Sequence, residues 1–258
     1  LESLMAANGS GAVALSRQDH QTILNIDVGG GTVKLGLCHG GKLFATSAFA
    51  VGGRLIAFDN KGQMARIEGP AQQIAENVGI QLKLGRKLTV EEQKKIVNRM
   101  VDVIVSYATR EPDDDLCKDL QLTDPLPKTP AIDGITFSGG VSEYIYGREE
   151  EDHGDLGKAL AQEIRHALSH KRIPEKIYDP GQGIRATVVG ASQFTVQVSG
   201  NTIFISDEEG LPVRNVPVAT LQNDLTGDFT AAEVSEEIGK ALKRLDMIIL
   251  ILLIRMRV

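Results

Sequence analysis

The sequence predicts a mixed α/β domain, and three observations carry that expectation. Ile23-Leu24-Asn25-Ile26-Asp27-Val28 is a strand-length apolar stretch that runs into three glycines, and two further strand-length stretches follow across glycine-rich links. Two longer segments repeat apolar residues at helical spacing. A later apolar stretch, Ile135-Thr136-Phe137, again runs into a Gly-Gly pair.

Taken in order, the first strand ends at Gly29-Gly30-Gly31-Thr32. Val33 to Leu37 returns beside it, and His39-Gly40-Gly41 turns the chain into Lys42 to Val51. Strands joined by such short links form an antiparallel meander. A helix is expected next, with Pro70 near its first turn, where a missing N–H costs nothing. Thr89-Val90-Glu91-Glu92 fits a capping box, and behind it Ile96, Val97, Met100, Val101, Ile104 and Val105 make one apolar stripe. Glu111 to Pro130, with its prolines and run of acids, reads as an exposed loop. Asp155 to Ser169 is a second amphipathic helix, carrying Leu156, Leu160, Ile164 and Leu168 on one side. Ile184 to Val189 and Thr202 to Ile205 read as strands, with Gly190-Ala191-Ser192 opening a short helix between them. Thr230-Ala231-Ala232-Glu233 repeats the capping-box pattern ahead of Val234, Ile238, Ala241, Leu242 and Leu245. Met247 to Ile254 is an unbroken apolar run, shorter than the roughly 20 residues a membrane helix needs, and reads as a buried strand.

Composition narrows the function classes. The 258 residues include 28 basic and 34 acidic ones, a formal charge of −6, which argues against a general nucleic-acid binder. Cys38 and Cys117 are too few for a disulfide framework and lack zinc spacing, which suits a reducing cytoplasm. His20, His39, His153, His166 and His170 form no ligand pair with a carboxylate at metal spacing. Asp113-Asp114-Asp115 and Glu149 to Asp152 read as solvated acidic stretches.

The glycine breaks carry the chemistry. Glycines without Cβ let backbone N–H groups converge on phosphate oxygens, so Gly29, Gly30 and Gly31 can form an anion-binding nest, to which the Thr32 hydroxyl adds a hydrogen bond. Asp27, at the strand end, can hold a magnesium ion directly or through water. The other reading of this stretch is a glycine-rich hairpin with Asp27 as an ordinary turn residue. Ser138-Gly139-Gly140-Val141-Ser142-Glu143 is a second break after a strand, where a base or ribose can lie against Gly139 and Gly140. Val51-Gly52-Gly53-Arg54 is a third, with Arg54 placed where it can meet a phosphate. Two look-alikes fail. Gly36-Leu37-Cys38-His39-Gly40-Gly41-Lys42-Leu43 has Leu43 where a P-loop needs Ser or Thr and sits in a hairpin. The Rossmann pattern fails because Lys34 stands where its third glycine should be.

Asp27-Val28-Gly29-Gly30-Gly31-Thr32 resembles the second phosphate loop of the actin, sugar kinase and heat-shock chaperone ATPase superfamily. Ser138-Gly139-Gly140-Val141 resembles its adenosine motif, and Ile184 to Ala191 the strand and helix start that close its second lobe. More closely, Leu24 to Thr32, Val51 to Leu55, Thr136 to Glu143, Arg185 to Ala191 and Leu211 to Val218 together resemble the EutA family of ethanolamine ammonia-lyase reactivating proteins. The likeness runs from the first residues to about Asp246.

That resemblance implies an actin-like, ribonuclease H-like ATPase lobe, a mixed sheet flanked by helices. It implies an ATP-dependent, chaperone-like factor that releases damaged cobalamin from the adenosylcobalamin enzyme ethanolamine ammonia-lyase. Carried over by position, Gly29, Gly30, Gly31 and Thr32 would cradle the phosphates, with Gly52 and Gly53 beside them, and Asp27 would orient magnesium or the attacking water. Gly139 and Gly140 would pack against adenosine, with Ser142 and Glu143 near the sugar or base. ATP and Mg²⁺ are the implied cofactors. The implied location is the cytoplasm, in association with a bacterial microcompartment, with homo-oligomerisation left open. A small-molecule kinase of the same superfamily, or a reactivase of a related diol dehydratase, are the alternatives; a kinase would need a catalytic base other than Asp27. The superfamily also carries an earlier phosphate hairpin in an upstream lobe. Residues 1–22 are therefore expected to be the tail of a preceding lobe or a linker, 23–246 the second lobe, and 247–258 a truncated or atypical strand. Half of a cleft should bind nucleotide weakly and turn over little of it.

Overall fold

The computed structural model of the chain describes residues 2–17, 20–173 and 176–179, together with Gly181, Gly183, Ala186 and Thr230. The chain divides into a compact unit, Leu1–Val198, and a second, Ser199–Val258, in which Thr230 alone is described, as an exposed residue. The strands expected at 184–189, 202–205 and 247–254, the helices expected after Gly190 and Thr230, and the stretches 185–191 and 211–218 thus lie wholly or almost wholly outside the described residues.

The meander forms as its glycine links require. β1 (Thr22–Val28), β2 (Val33–His39) and β3 (Lys42–Phe49) pair antiparallel in sequence, with Asp27 opposite Lys34. β6 (Gly134–Ser138) then joins the other side of β1 in parallel, placing Asn25 opposite Thr136 and Asp27 opposite Ser138. β7 (Lys176–Tyr178) extends the sheet beyond β6, also in parallel. The order is β3-β2-β1-β6-β7, with β2 antiparallel to the other four strands. This is the mixed, ribonuclease H-like sheet that the sequence led us to expect. A separate hairpin of β4 (Ile56–Phe58) and β5 (Met64–Ile67) lies outside it and was not foreseen.

All seven residues of β1 are buried, so both faces of the sheet are covered at its centre. Leu24, Ile26 and Val28 point into the main core with Leu35, Leu37, Ile135 and Phe137. α4 (Val90–Ala108) fills that core with Ile96, Val97, Met100, Val101 and Ile104, each side chain contributing about 1.5–3 kcal/mol of burial. Its capping box is formed: the Thr89 hydroxyl accepts from the Glu92 N–H at 3.2 Å, and the Glu92 carboxylate accepts from the Thr89 N–H at 2.9 Å. α3 (Gly69–Asn77) carries Pro70 in its first turn as expected, and α7 (Gly157–Ser169) packs against α4.

The opposite face begins with Ile23 and Cys38, covered by α1 (Glu2–Gly9) and α2 (Ala12–Arg17) through Ala7 and Ala12. A Cβ on Gly36 would lie 2.9 Å from the Ala7 methyl, so small residues on both sides allow this close approach. Two helices thus occupy the stretch expected as a tail or linker.

The loop expected over 111–130 needs correction. It contains α5 (Asp115–Leu120), whose Leu116, Cys117 and Leu120 are buried. Asp113 and Asp115 are exposed as expected, but Asp114 caps the helix: it accepts from the Cys117 N–H at 2.7 Å and pairs with the Arg99 guanidinium at 2.6 Å. Tyr107 stacks on Phe49 at 4.1 Å and donates its hydroxyl to the Cys117 carbonyl at 2.9 Å, fixing α5 against the core. Burial pushes the Asp114 carboxyl up, but Arg99 and the Cys117 N–H outweigh it, and the net position lies below the ordinary 3.8. A depressed carboxyl stabilises the fold above its unfolded value, and the gain is lost as pH falls through its folded one. The urea midpoint of Asp114→Asn should therefore trail the wild type at pH 7 and converge with it only once acid has protonated the folded carboxyl, below its ordinary range. A gap that persists in acid would refute the assignment.

Candidate functional site

Asp27 and Ser138 end adjacent parallel strands, so the loops that follow them emerge side by side at the carboxyl edge of the sheet. This is the place where open α/β sheets hold ligands. The backbone of β1 runs into a turn closed by the Gly29 N–H to the Thr32 carbonyl at 3.0 Å. Gly30 and Gly31 are exposed, and a Cβ on Gly31 would meet nothing within 4 Å.

Gly52 and Gly53 sit beneath this turn and are buried. The Gly53 N–H donates to the Gly29 carbonyl at 3.0 Å, and the Arg54 N–H to the Gly30 carbonyl at 2.6 Å. A Cβ on Gly52 would fall 2.5 Å from the Gly31 nitrogen, and one on Gly53 would fall 2.9 Å from the Gly157 Cα. Both glycines therefore face the protein's own backbone and hold the turn from below. Arg54 leaves this seam exposed, with its guanidinium 3.5 Å from Asp155. Asp155 in turn accepts from the Gly157 N–H at 2.7 Å, where α7 begins.

Gly139 closes the other side. It has φ 84° and ψ 173°, a conformation that is essentially glycine's alone. Its Cα lies against the backbone of Val28, so the two loops touch main chain to main chain. α6 (Gly140–Ile145) follows at once. Ser142 is buried and donates to the Gly139 carbonyl at 2.7 Å, tying the turn to the helix. Glu143 lies 3.5 Å from the Arg148 guanidinium, which also pairs with Asp179. Gly183 fits against both, since a Cβ there would be 2.8 Å from the Ser142 hydroxyl. Tyr146 fastens α6 to the sheet, its hydroxyl accepting from the Phe137 N–H at 2.8 Å and donating to the Tyr178 carbonyl at 2.9 Å. Burial pushes that phenol up to about 12, so it stays protonated and can do both.

The structure thus brings together every residue expected at the site: Asp27, Gly29, Gly30, Gly31 and Thr32 on one turn, Gly52 and Gly53 under it, and Gly139, Gly140, Ser142 and Glu143 beside it. It also supplies contacts the sequence did not disclose. Lys34 reaches Asp27 Oδ2 at 3.9 Å from the neighbouring strand. Ser138 donates to Asp27 Oδ1 at 2.7 Å, and Asn25 and Thr136 continue that contact inward. Their signal was present as polar residues at every second position of two otherwise apolar strands. The pairing that unites them spans 111 positions, beyond any local pattern. Among the described residues no cluster of His, Cys, Asp and Glu could hold a metal by itself, and no helix is long and apolar enough to cross a membrane.

A mixed sheet of this order, with glycine turns abutting at the ends of two parallel strands, defines a lobe of the ribonuclease H-like kind. The model of the family described as "Ethanolamine utilisation protein EutA" matches residues 1–248, and the chain belongs to that family. The chain is 37% identical over 228 residues to "Ethanolamine ammonia-lyase reactivase EutA" of Salmonella typhimurium, covering 87% of this chain and 48% of that protein. It is 36% identical over 240 residues to the Escherichia coli protein of the same description, covering 90% and 50%. The chain thus spans about half the length of the curated relatives it matches. Solved structures with partial similarity include EutJ of Carboxydothermus hydrogenoformans, at 16% identity and a TM-score of 0.32 over 73% of this chain and 52% of that one. Another is MreB 5 of Spiroplasma citri bound to AMPPNP, at 17% identity and a TM-score of 0.36 over 74% and 56%.

Proposed function

We propose that this lobe forms one wall of an ATP site and that the protein it serves is an ATP-dependent reactivase of ethanolamine ammonia-lyase, promoting the release of damaged cobalamin. The observation that carries the reading is the junction of the two turns: Gly139 lies against Val28, from which the exposed Gly30 and Gly31 follow, and the Asp27 carboxylate accepts from Ser138 across the two strands that bear them. Family membership and the curated relatives supply the client and favour this reading over a small-molecule kinase or a diol dehydratase reactivase.

Backbone N–H groups of Gly30, Gly31 and Thr32 would receive phosphate oxygens, as nests of this kind do. Lys34 adds a positive charge at the same edge. Gly52 and Gly53 would serve by holding the turn, and Arg54 is within reach of its outer side. Gly139 and Gly140 would lie along the adenosine, with Ser142 and Glu143 shaping the approach to the sugar or base. Donor chemistry fits Mg²⁺: a hard carboxylate oxygen and a threonine hydroxyl next to a phosphate nest are what that ion takes. When bound, it would neutralise charge on the phosphates, while Asp27 orients it or the attacking water. The same reading expects the lyase as partner, neither nucleic acid nor membrane, and a cytoplasmic setting associated with a microcompartment.

Calorimetric titration of the chain with Mg·ADP and Mg·ATP tests this. We expect weak binding, reduced by about tenfold in Asp27→Ala, the value of one charge-assisted contact, and little hydrolysis by this chain. Binding that Asp27→Ala leaves unchanged would overturn the assignment of the site.

A further inference from the structure

Thr136, Asn25, Ser138 and Asp27 form one hydrogen-bonded row across the central parallel strands. The Thr136 hydroxyl meets Asn25 Oδ1 at 2.9 Å, Asn25 Nδ2 meets the Ser138 hydroxyl at 3.1 Å, and Ser138 meets Asp27 Oδ1 at 2.7 Å. All four are buried, none more than 3% exposed. On the other face of the same strands stand Leu24, Ile26, Ile135 and Phe137. An apolar row would fill this face without the desolvation that buried polar groups incur, so the polar row calls for a use.

The row has one direction. An ionised carboxylate only accepts, so Ser138 gives its single proton to Asp27. The serine oxygen in turn accepts from the amide NH₂ of Asn25. That leaves the amide oxygen to accept from Thr136. Turning the amide over would set two acceptors face to face at Ser138. Hydrogen bonds aligned in this way polarise one another and resist rearrangement.

We propose that Ser138, held by Asn25, is a positioning residue for the metal–nucleotide partner of Asp27. The serine hydroxyl pins Oδ1 and so fixes the plane of the carboxylate, while Lys34 lies at Oδ2. A carboxylate set in advance needs no reorganisation when its partner arrives. This inference rests on the nucleotide reading of the site.

The test is calorimetry of the chain with ADP in the presence of Mg²⁺ and, separately, of chelator. Ser138→Ala should lower Mg·ADP affinity about tenfold, within the range for a hydrogen bond to a charged group, and leave metal-free ADP binding within about twofold of wild type. Ser138→Thr, which keeps the hydroxyl, should restore most of the magnesium-dependent gain. If Ser138→Ala does not fold, Ser138→Cys, close in size and a weak donor, carries the same comparison. Equal losses with and without magnesium, or no rescue by threonine, overturn the positioning role and leave the site standing. A wild-type chain that binds no nucleotide overturns both.

Discussion

Gly139→Ala should cost about 2–6 kcal/mol of stability. The conformation itself accounts for about 1–3 kcal/mol, because φ 84° with ψ 173° is closed to residues with a Cβ. Overpacking adds about 1–3 kcal/mol more, since the new methyl would fall 2.7 Å from the Val28 carbonyl carbon, part of a strand that cannot yield. Against a total of about 5–15 kcal/mol for a typical domain, that is a large fraction. Urea denaturation followed by circular dichroism measures it. Gly147→Ala supplies the comparison, with φ 71° but nothing within 4 Å of its Cβ, so it should cost only about 1–2 kcal/mol. Equal losses at the two positions would mean that the contact with Val28 carries nothing.

Gly52→Ala should weaken nucleotide binding while the chain still folds. Its Cβ would press on the backbone of Gly30 and Gly31, 2.5 Å from the Gly31 nitrogen. The clash is with main chain rather than with a flexible side chain, so about 1–3 kcal/mol of stability should be lost as well. A turn displaced by about 1 Å no longer aims its N–H groups at one point, and Mg·ADP affinity should fall by about 100-fold. Calorimetry beside a denaturation curve decides it. Unchanged affinity would remove Gly52 from the support of the site, and loss of folding would show that the turn is stiffer than its exposure suggests.

What the sequence disclosed and what it hid follow from distance along the chain. The meander was legible because each link is a few residues long and rich in glycine, and α4 was legible because Thr89 and Glu92 complete a local cap. β4 and β5 are only three and four residues long and leave no alternation to read. α5 is six residues inside an acid- and proline-rich stretch, betrayed only by its Asp114 cap and the spacing of Leu116 and Leu120. α1 has almost no apolar stripe because alanines, not leucines, let it approach Gly36. At the site, Asp27 and the glycines could be read from local pattern. The inward row through Ser138, Asn25 and Thr136 could not, because it exists only once β6 lies beside β1.

The Tyr146 hydroxyl, shared between the Phe137 N–H and the Tyr178 carbonyl, has an optical consequence. The chain has no tryptophan and only four tyrosines, so its near-ultraviolet absorbance and emission arise mainly from phenols. One of those chromophores is bonded into the main chain of β6 and β7, at the edge of the sheet where Gly139 turns. The unlabelled protein therefore carries a spectroscopic reporter of its own beside the Gly139 turn.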